Sequence, residues 1–220
     1  MNGDTTAQAI QLKMRSGGNN VLSGTVRLRA WDAAGLNPIV LSNLGAGINS
    51  GACATNGEIL LATAAFSSKT TPAAVPDFVM LAPIPSAYLA AGSLTFEGIT
   101  GSPVYWRLSW GGAAYTGTGA VSIDNDADLT MNPPFPLALP TMGADAVRKM
   151  VACPAASTNN SLQYGITAGA AVFENNDQQQ FTVNALAVAS VPVLPGFGFG
   201  ALAAGMVAAG VVIARRRAAS

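Results

Sequence analysis

Residues 104–110 read Val104-Tyr105-Trp106-Arg107-Leu108-Ser109-Trp110, and this stretch decides the fold class. Val104, Trp106, Leu108 and Trp110 recur at every second position, the period that lines one face of a strand. Two further stretches alternate in the same way. In Thr25-Val26-Arg27-Leu28-Arg29-Ala30-Trp31 the apolar residues are assigned to one face and both arginines to the other. Ser93-Leu94-Thr95-Phe96-Glu97 repeats the pattern. Further strands are expected over 58–66, 77–83, 118–124, 161–167, 170–174 and 179–187. Turn-forming clusters separate them: Asn43 to Gly51, Gly111-Gly112, Asp124 to Asp128, Met131 to Pro136 and Asn175 to Asp177. Many short strands with turn chemistry between them predict an all-β fold, an antiparallel β-sandwich or barrel-like body over residues 1–187. Trp106 and Trp110 are expected to anchor its core, with an exposed aromatic platform for a ligand as the alternative. Helical patterning is confined to 142–151 and to the C-terminal end. Pro133-Pro134-Phe135-Pro136 with Pro140 suggests a break near 131–140, while a single unit running through it is the simpler reading.

Composition narrows the function classes. Of 220 residues only 10% are charged, and 11 basic residues balance 11 acidic ones. An average soluble domain carries about 25% charge. No basic face of the kind that binds nucleic acid is present, so no nucleic-acid partner is expected. The chain has no histidine. Triads built on His and His-ligated zinc sites are therefore excluded. No carboxylate pair stands out for acid–base work, and the protein is read as not an enzyme.

The charges are unevenly placed. Arg215, Arg216 and Arg217 stand together, leaving eight basic residues against all 11 acidic ones in 1–214, a net −3 (8 − 11). Between body and arginines runs Gly196 to Ala214, GFGFGALAAGMVAAGVVIA, which holds no charge and no hydrogen-bonding side chain. As a helix it spans roughly 28 Å, close to the ~30 Å hydrocarbon core of a bilayer. Phe197, Phe199, Leu202, Val207, Val211, Val212 and Ile213 together favour insertion by about 2–4 kcal/mol. One transmembrane helix over 196–214 is predicted, with Arg215–Arg217 as its stop and 215–220 as a basic cytoplasmic tail. The positive-inside rule then puts the body outside the cytoplasm.

The segment entering this span is Val191-Pro192-Val193-Leu194-Pro195-Gly196-Phe197-Gly198. Motif, apolar run and arginine cluster together resemble the C-terminal sorting signals of exosortase-processed bacterial surface proteins, the PEP-CTERM class. The nearest variant is the IPTL-CTERM form, whose motif reads Ile-Pro-Thr-Leu-Ser-Glu-Trp-Gly. Pro192, Leu194 and Gly198 match it, and Val191 and Phe197 stand in for Ile and Trp. Val193, Pro195 and Gly196 depart from it. The resemblance covers about residues 191–217. It implies export, a membrane anchor and an exosortase-like processing protease as partner. The cell envelope is the implied location, with release to the outer surface after processing. Residues 188–195 are then a proline-containing linker and sorting motif.

Residues 1–18, MNGDTTAQAIQLKMRSGG, hold no apolar run and no small-residue cleavage pattern of a signal peptide. The expectation is that the natural start lies upstream of Met1. Two site assignments complete the reading. Cys53 and Cys153, the only cysteines, are expected to form a disulfide in an exported body. Asp124, Asp126 and Asp128 alternate as calcium ligands do, but Leu129 and Phe135 occupy the positions where an EF-hand needs Gly and Glu. A looser calcium site at this turn is the alternative to a plain acidic turn. No other cofactor is expected. The leading reading is a membrane-anchored envelope protein with a structural or adhesive role; a calcium- or ligand-binding ectodomain is the alternative.

Overall fold

A computed structural model describes residues 4–13, 25–44, 57–101, 104–117, 133–150, 163–167 and 169–185. The chain divides into two compact units, Met1–Leu186 and Ala187–Ser220, and every element below belongs to the first. The fold is all-β. Its strands are β1 (Ala9–Lys13), β2 (Val26–Trp31), β3 (Ile39–Leu44), β4 (Glu58–Ala62), β5 (Thr70–Thr71), β6 (Phe78–Val79), β7 (Gly92–Gly98), β8 (Val104–Trp110), β9 (Val147–Lys149), β10 (Tyr164–Ile166), β11 (Val172–Glu174) and β12 (Gln180–Val183). They form four sheets, ordered β3-β2-β7-β8, β1-β4-β6, β11-β12-β5 and β10-β9. All pairings are antiparallel except β4 with β6.

Strand β4 explains how the sheets stack. All five of its residues are buried. Ile59 and Leu61 point into one apolar cluster with Val26, Leu28, Ala30, Leu94, Leu108 and Trp110 of the four-stranded sheet. Leu60 and Ala62 point the other way, into a second cluster with Phe66, Phe181 and Val183. One strand thus supplies both cores, and its sequence, Ile59-Leu60-Leu61-Ala62, is a continuous apolar run because neither face meets water. The strand expected over 58–66 ends at Ala62 and gives way to a 3-10 helix, Ala64–Lys69, that turns Phe66 into the second core.

The hairpin from β2 to β3 is held by one carboxylate. Asp32 Oδ1 accepts from the backbone N–H of Ala34 and of Leu36, and Oδ2 accepts from Asn37 Nδ2. These bonds, the one from Leu36 N–H first, hold the Asp32 carboxyl below its ordinary range. Gly35 takes the left-handed backbone conformation that closes the turn, at φ 71°.

The long strands match the period-two reading, with two corrections. Trp31 shares the parity of Arg27 and Arg29, so it lies on their face of β2 rather than with the apolar residues. Of the expected helix over 142–151, residues 142–150 are described and are not helical: Gly143 adopts φ 74°, and Val147–Lys149 pair with Tyr164–Ile166. A cross-strand partner outweighs a weak local helical preference. Trp110 is 1% exposed, whereas Trp106 is only partly buried against the same cluster. Phe135, from the proline-rich stretch, is 2% exposed and bridges to Trp110, its N–H donating to Ser109 O.

A second carboxylate ties β4 to the chain beside it. Asp77 Oδ2 accepts from the backbone N–H of Leu60 and of Asn176, 2.7 and 3.0 Å away. Burial pushes the Asp77 carboxyl above its ordinary range and Asp177 adds to this, while the two N–H bonds oppose it. A raised folded-state pKa means that the folded protein prefers the protonated acid. The Asp77 contribution is therefore greatest at acid pH, below the unfolded value, and is lost as pH rises through the folded one. Wild type should lose stability relative to Asp77→Asn as pH rises across the range from below the ordinary aspartate value to above the raised folded-state one. Urea midpoints of the two proteins across that range measure the slope, and an opposite slope refutes the assignment.

Candidate functional site

The four-stranded sheet has two covered faces of opposite character. Even-numbered residues of β2 and β7 feed the apolar core. Odd-numbered ones build a charged layer on the other side. Register sets its rows: Arg27 is opposite Glu97, Arg29 opposite Thr95 and Trp31 opposite Ser93; across β7, Thr95 is opposite Arg107 and Ser93 opposite Ser109. Ser93, Thr95 and Glu97 are each 0% exposed. The layer is polar, yet it is interior.

Glu97 is its centre. The Oε1 atom accepts from Arg27 Nε at 2.9 Å and meets Arg29 Nε at 2.5 Å. The Arg29 contact is ionic rather than an aligned hydrogen bond. Oε2 accepts from the Thr95 hydroxyl at 3.0 Å, and that hydroxyl accepts from Trp31 Nε1 at 2.9 Å. The Arg29 guanidinium lies 4.3 Å over the Trp31 ring, a cation–π contact that fixes its plane. Arg107 has no carboxylate partner among the described residues. Its Nη1 donates to the Tyr115 hydroxyl at 3.1 Å, which in turn donates to Ser93 Oγ, while Arg107 Nε is buried without an acceptor. In this layer three guanidinium groups face one carboxylate. Chemically such an arrangement can hold an oxyanion; it offers no nucleophile beside a base.

The backbone that follows β8 folds back over this face. Gly111 and Gly112, with φ 94° and 52°, turn the chain. Tyr115 is thereby delivered to Arg107, and Thr116 and Gly117 donate to the Ala33 carbonyl in the β2–β3 turn.

The site residues expected from sequence are not among the described residues. Cys53 and Cys153, Asp124, Asp126 and Asp128, the motif Val191–Gly198 and Arg215–Arg217 all fall outside the described residues, as do 196–214. Among the described residues no helix is long and apolar enough to cross a membrane, and no group of three or more Cys, Asp or Glu is placed to hold a metal ion. The charged layer escapes a reading of the sequence because Arg27 and Arg29 look like a solvated strand face. The available signal is Glu97 on the same parity of a neighbouring strand, together with Trp31. We found no family model, curated protein or solved structure that matches the chain.

Proposed function

We propose that this chain is an exported protein of the bacterial envelope, its β-rich body held outside the cytoplasm by a helix over 196–214, with a structural or adhesive rather than enzymatic role. The observation that carries this reading is the charge-free run Gly196–Ala214 closed by Arg215, Arg216 and Arg217. The preceding Val191–Gly198 segment supports processing by an exosortase-like protease. Pro192 and Pro195 lack amide donors, and proline biases the residue before it toward extended geometry, a form that a protease binds through the backbone. A disulfide between Cys53 and Cys153 belongs to the same proposal. The second reading, a calcium-binding ectodomain, rests on the spacing of Asp124, Asp126 and Asp128, and calcium titration followed by tryptophan fluorescence tests it.

Two results are expected. Met206→Arg places a charge at the centre of the span at a cost of about 2.5–3.5 kcal/mol, comparable to the whole insertion gain. This variant should move to the soluble fraction in a carbonate wash, and retention in the membrane refutes the anchor. In a host with an active exosortase, mass spectrometry should find the mature C-terminus within about residues 188–200, around Pro192 and Pro195. A chain ending at Ser220 refutes processing.

A further inference from the structure

We propose that the Arg27–Arg29–Glu97 cluster is one wall of a binding site for a small oxyanion, seated beside Gly101 between the two guanidinium groups. Three observations converge on that point. First, both arginines direct Nε at a single oxygen of Glu97. This side-on approach spends Nε on Glu97, and neither arginine makes a hydrogen bond through its Nη groups to another described residue. Second, the Nη2 atoms of the two arginines come together. A methyl group built on Gly101 would stand 3.4 Å from Arg27 Nη2 and 3.4 Å from Arg29 Nη2, with Glu97 Oε1 at 3.9 Å. Gly101 has φ 91°, which favours glycine, so the point where the two donors meet is kept clear of a side chain. Third, the charge does not balance. Among the described residues Arg27, Arg29 and Arg107 face Glu97 alone, an excess of two positive charges beside residues that are wholly buried.

The exposure suits a small ligand. Arg27 and Arg29 side chains are 18% and 15% exposed, and Gly101 is part-exposed. An ion of the size of sulfate, phosphate or a carboxylate reaches the Nη groups beside Gly101, while the Nε atoms stay on Glu97. Glu97 then acts as a positioning residue: it aims the two forks and offers the anion nothing itself.

The experiment uses the full chain in detergent. Sulfate, phosphate and acetate are titrated separately at constant ionic strength against chloride, reading both the unfolding temperature and the fluorescence of Trp31, which lies against Arg29. A saturable rise in unfolding temperature above the chloride baseline is expected, with a parallel fluorescence change that Trp31→Phe removes. The three arms distinguish a tetrahedral from a planar oxyanion. Arg29→Lys keeps the charge opposite Glu97 but loses the fork, and should weaken binding about tenfold. Gly101→Ala keeps every charge and fills the point of convergence, and should weaken binding as well, each variant being read against its own baseline. Three outcomes overturn the proposal. One is no effect beyond chloride. Another is binding that neither variant changes, which places the anion elsewhere. The third is a response that emerges only in Asp124→Asn/Asp126→Asn/Asp128→Asn, which makes a carboxylate of the chain itself the occupant.

Discussion

Glu97→Ala is expected to destabilise the protein by about 3 kcal/mol, because it strands two guanidinium groups in a covered layer. The carboxylate is 0% exposed and is the only acid that Arg27 and Arg29 contact among the described residues. Breaking a buried ion pair from one side typically costs about 3–5 kcal/mol. The lower end applies to this layer, since both arginines retain a partly exposed side chain that can turn toward water. Glu97→Gln keeps the shape and one acceptor oxygen and should cost less. Removing all three charges with Arg27→Met, Arg29→Met and Glu97→Leu should cost less than Glu97→Ala alone, since desolvation of the ions is then removed together with their attraction. Urea denaturation of the four proteins sets the order. If the triple variant is the least stable, the attraction among the charges outweighs their desolvation, and the expected order is refuted.

Trp110→Ala should cost about 3–5 kcal/mol, the range for emptying a large aromatic site in a packed core. Trp110 is 1% exposed and lies in the larger cluster with Leu28, Leu94 and Leu108. Its indole Nε1 donates to the Tyr88 carbonyl at 2.8 Å, so truncation also strips a part-buried acceptor of its donor. Trp110→Phe refills most of the volume and loses the donor, at a cost of about 1–2 kcal/mol. Trp106→Ala should cost less than Trp110→Ala, because its ring is only partly buried. Thermal unfolding of the three variants tests the ranking, and equal losses at 106 and 110 refute it.

Alternation made β2, β7 and β8 legible, and with them the core face of the largest sheet. Other elements were hidden for identifiable reasons. In β1 Ile10 and Leu12 do alternate with Gln11 and Lys13, but five residues beside an unpatterned N-terminus carry little weight. In β3 a bulge interrupts the ladder: Leu28 pairs with Ser42 and Arg29 with Val40, so Leu41 is the extra residue. Leu41 and Leu44 are both buried at a spacing of three, and no period-two template finds them. The charged layer was concealed differently. Alternation separates polar from apolar faces but says nothing of what later covers the polar one. Arg29 is therefore indistinguishable in sequence from a solvated arginine until Glu97, Thr95 and Trp31 are brought beside it by pairing of strands some 65 residues apart.

The sharing of β4 between two cores has a consequence for the order in which the body assembles. The fully buried residues of its first core end at Phe135, whereas the second core waits for Phe181 and Val183. The last contacts also span the greatest lengths of chain: Glu174 N–H reaches Gln11 across 163 positions, and Asn184 meets Thr71 across 113. Such non-local closure is slow, in the millisecond-to-second range for β-rich domains. Until it happens, Leu60, Ala62 and Phe66 present a bare apolar surface. During synthesis at about 5–20 residues per second, that surface stands uncovered for seconds while the strands that cover it are still being made. A chain built this way keeps one face of β4 uncovered until nearly all of the body has been made.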